Sequence, residues 1–248
     1  MKHTYFLHQL FVVFTLLFAA GSNLALAEPP LQLFYFERIP YSVSDSRGNV
    51  SGLVASPAAN ALKKAGIQFQ WKKMPFKRQL ETIKYNKKRA CGIGWFKNPE
   101  REKFTRFTNA IYQDKPSITI SKKGNHIVSQ HNDIVSLFKD RSIKLLIKDG
   151  FSYGAYIDEQ IQKQSPETVA VVSSTNVQML QTLLAGRADY FFASKEEAEH
   201  IITEAGYSVS QFHLQEYDDI PLGNRRYIGC SQQVEPELID RINQALKQ

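Results

Sequence analysis

The feature that most restricts the fold is an alternation of short apolar strands and amphipathic helices that starts again near residue 120. The stretch 31–36 (LQLFYF) is an apolar and aromatic run, the pattern of a buried strand, and ends in Glu37-Arg38-Ile39-Pro40. Asp45-Ser46-Arg47-Gly48-Asn49 is a turn cluster. Pro57 then opens a helix in which Ala58, Ala61, Leu62 and Ala65 recur at i, i+3, i+4, i+7, and Gly66 stops it. A strand over 67–71, a helix marked by Phe76, Leu80 and Ile83, and a glycine-bearing strand over 91–95 complete the first round. After Pro116 a strand over 117–121 is broken by Lys122-Lys123-Gly124-Asn125. The alternation then resumes with strands over 144–148, 168–172 and 189–193 and helices over 153–162 and 196–205. Between them, Thr175 or a neighbouring serine caps a helix with Val177, Leu180 and Leu184 on its core side. The stretch 223–230 reads as a returning strand, and a helix over 236–246 puts Leu238, Ile239, Ile242 and Leu246 on one face. Alternation of this kind builds α/β units with parallel sheets. Two rounds without a low-complexity linker predict two α/β lobes, with strands crossing between them as a hinge.

The N-terminus constrains where such a chain works. Lys2 supplies a positive charge, an apolar run follows over 10–20, and Ala25-Leu26-Ala27 offers small residues for cleavage. That order is a secretory signal peptide over 1–27; an uncleaved anchor is the alternative, but the run is shorter than the ~20 residues of a spanning helix. Glu28-Pro29-Pro30 suits an exposed new terminus, leaving 221 residues, enough for one large domain or two compact lobes. The full chain has 31 Lys+Arg against 24 Asp+Glu; the leader removes one lysine and no acid, so the remainder carries +6. The surplus is spread along the chain rather than gathered in a stripe, which argues against nucleic acid and leaves a modest attraction for anionic solutes. Cys91 and Cys230 are the two cysteines. In an oxidising compartment they tend to pair; two separate buried thiols are the other reading. Neither has a Cys or His at ligand spacing, so no metal site is expected.

Several stretches, in order and spacing, resemble the family 3 extracellular solute-binding proteins, the periplasmic components of polar amino-acid ABC transporters. They are Glu37-Arg38-Ile39-Pro40-Tyr41-Ser42, Gly94-Trp95-Phe96-Lys97-Asn98-Pro99-Glu100-Arg101, Phe107-Thr108-Asn109-Ala110-Ile111-Tyr112 and Gly186-Arg187-Ala188-Asp189. The resemblance implies a type II periplasmic-binding-protein fold: two α/β lobes joined by two hinge strands, ligand in the cleft, closure by hinge motion. Residues 28–117 with 222–248 would form the first lobe and 118–221 the second. It also makes the Cys91 and Cys230 strands neighbours, favouring a disulfide that would close a long loop and add roughly 4 kcal/mol in the chain-entropy model.

Arg101 matches the arginine with which such proteins hold a ligand carboxylate, and a guanidinium fork fits two carboxylate oxygens; a solvated helix-start charge beside Glu100 and Glu102 is the plainer reading. Gly94 and Phe96 share its segment, Gly94 fitting either a close ligand approach or a plain tight turn. Glu37 and Tyr41 stand at a strand's C-terminal end, where open α/β sheets place ligands, although Glu37 reads equally as a surface carboxylate. Trp95 and Tyr112 fit either a cover for a flat ligand or the core. In Lys148-Asp149-Gly150-Phe151-Ser152-Tyr153-Gly154, Ser152 and the backbone near Tyr153 are natural donors to an anion at a helix start, and the Gly-x4-Gly-Lys pattern of a P-loop is absent. The main departure is Ser194, which stands where amino-acid binders of the family carry the aspartate that pairs with the ligand's amine. Either another acid such as Glu37 takes that role, or the ligand is not a standard α-amino acid.

A few relatives with this fold are enzymes, among them periplasmic dehydratases and lytic transglycosylases. Glu37 and Lys148 could be cast as an acid/base pair, but no motif supports it, and there is no HExxH or Gly-x-Ser-x-Gly pattern. The expectation is a monomeric, non-enzymatic periplasmic binder of a small polar, carboxylate-bearing solute. No cofactor is implied; its partner is an inner-membrane ABC permease or, in the rival reading, a signalling sensor.

Overall fold

The computed structural model describes residues 29–171 and 175–247; the leader over 1–27 lies outside them, as does the end of the strand placed at 168–172. In chain order the first round contains β1 (Leu31–Tyr35), a β2–β3 hairpin (Val43–Ser44 and Val50–Ser51) around the 45–49 turn, α1 (Ala55–Lys64), β4 (Phe69–Lys73), α2 (Phe76–Lys84), β5 (Ala90–Phe96), a short α3 (Pro99–Glu102) and β6 (Arg106–Gln113). The second contains β7 (Ser117–Lys122), α4 (His126–Ser129), α5 (Ile134–Lys139), β8 (Leu145–Lys148), α6 (Ala155–Gln164), β9 (Thr168–Val171), α7 (Asn176–Leu184), β10 (Tyr190–Ser194), α8 (Ala198–Glu204) and β11 (Phe212–Gln215). β12 (Arg225–Cys230) returns to the first group, and α9 (Pro236–Leu246) ends it.

Two five-stranded sheets result, in the orders β4-β1-β5-β12-β6 and β11-β7-β10-β8-β9. The chain leaves the first sheet between β6 and β7 and comes back between β11 and β12. The sheets are mixed α/β rather than parallel: β12 runs antiparallel to β5 and β6, and β7 antiparallel to β10 and β11. Periodicity cannot reveal this, because a buried strand carries the same alternation in either direction.

Local signals explain the helices. α1 buries Ala58, Ala61 and Leu62 against Leu33, Cys91, Ile228 and the α9 residues Leu238 and Ile242, and Gly66 ends it with φ of +65°. Each fully buried Leu or Ile contributes about 1.5–3 kcal/mol. α7 starts at Thr175, whose hydroxyl accepts the Gln178 N–H at 3.2 Å while Gln178 Oε1 accepts the Thr175 N–H at 2.8 Å. This capping box fixes the helix start beside the cleft. The second sheet packs Ile120, Leu146 and Phe191 against Leu180 and Ile202. Cys91 and Cys230 face each other across β5 and β12 and are joined in a buried disulfide with sulfurs 2.02 Å apart.

Candidate functional site

The C-terminal ends of β1, β5, β8 and β10 converge on a cleft between the two sheets, the position where open α/β sheets bind ligands. An inner chamber of about 60 Å³ adjoins an outer one of about 690 Å³, with Phe36, Arg38, Phe76, Lys148, Phe151, Asn176 and Ile201 common to both walls.

Four cations line the inner chamber, and they fall into two classes. Arg38, just after β1, makes a two-pronged ion pair with Glu197, Nε to Oε2 at 2.7 Å and Nη2 to Oε1 at 2.5 Å. Burial would raise the Glu197 carboxyl, but the Arg38 guanidinium draws it down to about 2. Arg226, at the start of β12, donates from Nε to Asp114 at 2.6 Å, from Nη1 to the Gly94 carbonyl at 3.1 Å and from Nη2 to Ser194 Oγ at 3.1 Å. Its guanidinium lies over the rings of Tyr41 and Phe96, at 3.9 and 4.7 Å.

The other two cations have no such partners. Asn98 caps α3 by accepting the Arg101 N–H at 2.9 Å, which turns the Arg101 side chain inward, where it is 5% exposed. Its guanidinium donates to the carbonyls of Phe96 at 2.8 Å and Gly150 at 3.3 Å. It sits over Phe76 at 5.2 Å and Trp95 at 5.8 Å. Burial lowers its pKa to about 10, only partly opposed by the charge of Asp158. Lys148, at the end of β8, donates to Asn176 Oδ1 and stands 5.1 Å from the Phe151 ring centre. Burial and then the Arg38 charge lower its pKa to about 7, although Glu197 pulls the other way. Among the described residues neither cation has a carboxylate oxygen within 4.0 Å. A desolvated cation without a counter-charge is costly, so an anion entering here gains from both.

Residues 36–248 match the profile of the bacterial extracellular solute-binding proteins, family 3. The chain belongs to that family. Solved solute-binding proteins share its fold at low identity. The arginine-, lysine-, histidine-binding protein ArtJ of Geobacillus stearothermophilus is 13% identical with a TM-score of 0.69, covering 88% of this chain and 88% of that one. An ancestral arginine-binding protein bound to arginine is 18% identical, TM-score 0.67, covering 88% and 91%. An ancestral amino acid-binding protein described as a precursor of cyclohexadienyl dehydratase is 16% identical, TM-score 0.63, covering 88% of each. No curated protein matches the sequence.

Within this solute-binding protein the inner chamber brings together seven of the residues singled out from sequence: Gly94, Trp95, Phe96, Arg101, Ser152, Tyr153 and Ser194. Gly94 has φ of +73°, and a Cβ there would come within 3.1 Å of Val54. Trp95 is buried and donates to Gln79 Oε1 at 3.3 Å, so it is both core and cleft floor. Ser152 Oγ and the Tyr153 N–H, read as anion donors, are directed to Asp158. Glu37 reaches only the outer chamber, hydrogen-bonded to Ser44 and 3.2 Å from Lys73 Nζ. Tyr41 and Tyr112 line neither chamber: Tyr41 supports the guanidinium groups of Arg38 and Arg226, and the hydroxyls of both tyrosines meet Glu196. Arg38, Asn176, Glu197 and Arg226 escaped sequence reasoning. Glu197 in Lys195-Glu196-Glu197 looks like an ordinary solvated helix start, and only its pairing with Arg38 across the cleft shows otherwise.

Proposed function

We propose that this solute-binding protein captures a small anionic solute, carboxylate-bearing in the simplest case, in the cleft between its sheets. We further propose that it works in the periplasm after leader cleavage, as a monomer, and hands the solute to an ABC permease. Its lobes would be 28–117 with 222–248, and 118–221, closing by hinge motion. The observation that carries the reading is a pair of cleft cations, Arg101 buried and Lys148 half-buried, that no carboxylate neutralises. The fold shared with amino-acid-binding proteins supports it. Binding rather than catalysis is favoured because Glu37, the acid that could have served Lys148 in an acid/base pair, faces Lys73 and Ser44 instead.

Thermal-shift titration with amino acids and small carboxylates tests the proposal. A ligand at 100 times its Kd should add about 2.7 kcal/mol of stability. Arg101→Gln should abolish that shift without lowering the melting point of the unliganded protein, since it removes a desolvated charge while keeping most of the volume. A shift of undiminished size in the variant would remove Arg101 from the site.

A further inference from the structure

We propose that the cleft selects a dianionic solute, one with two carboxylates or equivalent acidic groups and no ammonium, anchored at Arg101 on one side and Lys148 on the other. This rests on the anion-capture reading above and goes further by fixing how many charges the ligand carries and of which sign.

The argument begins with what remains free once every ion pair is assigned. Of the four cations on the inner wall, Arg38 is matched by Glu197 and Arg226 by Asp114. Arg101 and Lys148 donate only to neutral oxygens, the Phe96 and Gly150 carbonyls and the Asn176 amide. A guanidinium has five N–H donors and an ammonium three, so both keep donors in reserve. They come from different halves of the molecule, Arg101 from the segment after β5 and Lys148 from the end of β8. Their supports meet: Arg101 lies over Phe76, Lys148 beside Phe151, and these two ring centres are 4.6 Å apart. Two like charges on one aromatic platform repel each other. One carboxylate relieves one of them; two relieve both.

The acids give the converse. Glu197 is the single carboxylate on the inner wall. Its two oxygens accept from Arg38 Nε and Nη2, from Asn176 Nδ2 at 3.1 Å and from the Ser194 N–H at 3.3 Å. Two carboxylate oxygens offer about four lone-pair sites, so these four donors fill them. Asp158, which acts on Arg101 through space, lines neither chamber and accepts from Ser152 and the Tyr153 N–H. In the outer chamber Glu37 is held by Lys73, Asp149 by Lys77 and Glu204 faces His200. An α-amino acid would therefore bring its ammonium among cations with no uncommitted carboxylate on the inner wall to receive it.

Calorimetric titration of the purified protein with butyrate, succinate, glutarate, adipate, glutamine and arginine tests this. At least one dicarboxylate should bind about tenfold or more tighter than butyrate, one charge-assisted contact's worth, and both amino acids more weakly than that dicarboxylate. Lys148→Gln, which preserves a partner for Asn176, should bring the dicarboxylate to within about threefold of butyrate. Lys148→Arg should retain the preference. Glutamine or arginine outcompeting every dicarboxylate would overturn the dianion inference and leave solute capture standing. Failure of all six to bind would overturn the anion-capture reading as well.

Discussion

Burial and the adjoining Arg38 guanidinium hold the Lys148 ammonium near a pKa of about 7, against about 10.4 for a free lysine. Between those values the unfolded chain binds a proton that the folded chain does not, so this residue makes stability rise with pH from about 7 to about 10. Below pH 7 the folded protein carries the charge and its full desolvation cost. Arg38 adds to that cost and Glu197 offsets part of it. Lys148→Gln should therefore stabilise the unliganded protein most near pH 6, and the advantage should fade as pH approaches 10. Thermal denaturation of the two proteins at a series of pH values measures this directly. A difference that stays constant across the series would mean that the ammonium is not desolvated in solution. Arg101 shares the environment but not the behaviour, because at a pKa of about 10 it stays charged throughout the neutral range.

At the scale of single elements, β5 carries much of what the site needs. It holds Cys91 in register with Cys230, then Gly94, Trp95 and Phe96 on the cleft, and feeds α3 with Arg101. The disulfide links positions 139 residues apart, and in the chain-entropy model closing so long a loop contributes roughly 4–5 kcal/mol. Replacing both cysteines by alanine should lower the melting temperature by roughly 10–20 °C without altering ligand preference, since neither sulfur lines a chamber. Differential scanning calorimetry with and without reductant checks the first part, titration the second. The same strand shows what sequence can and cannot reveal. Its glycines and the Pro-Glu-Arg turn were readable because they are local. Arg38 with Glu197 and Arg226 with Asp114 were not, because 159 and 112 residues separate the partners and a charged residue at a turn looks the same whether it meets water or another lobe. β6 and β11 escaped for a different reason. Both are edge strands, and β6 interrupts its apolar pattern with Thr108 and Asn109 while β11 is four residues long.

Across the whole molecule charge is divided unevenly: residues 28–117 with 222–248 hold 21 Lys+Arg against 10 Asp+Glu, and 118–221 hold 9 against 14. The two groups therefore carry +11 and −5 and attract each other across the cleft, an effect that salt weakens. The short-range expression of that attraction is Arg38–Glu197, supported at the rim by Lys77–Asp149 and by Glu196 accepting from Tyr112 and the Lys115 N–H. Of these, Glu197 carries a pronounced acid signature. Its folded pKa of about 2 lies below the ordinary value near 4.3, so the stability it supplies is complete above about pH 4.5 and is lost as pH falls toward 2. Glu197→Gln keeps the side chain's size but removes the charge that holds Arg38, leaving a third uncompensated cation in the cleft. The unliganded variant should open, giving a larger radius of gyration by small-angle scattering than the parent at neutral pH, and it should lose part of the parent's unfolding response between pH 4.5 and 2. High salt should move the parent in the same direction but less far, because a buried ion pair is screened less than the charges at the rim. An unchanged radius in the variant would mean that the rim contacts suffice to hold the sheets together, and that Glu197 serves to neutralise Arg38 rather than to close the cleft.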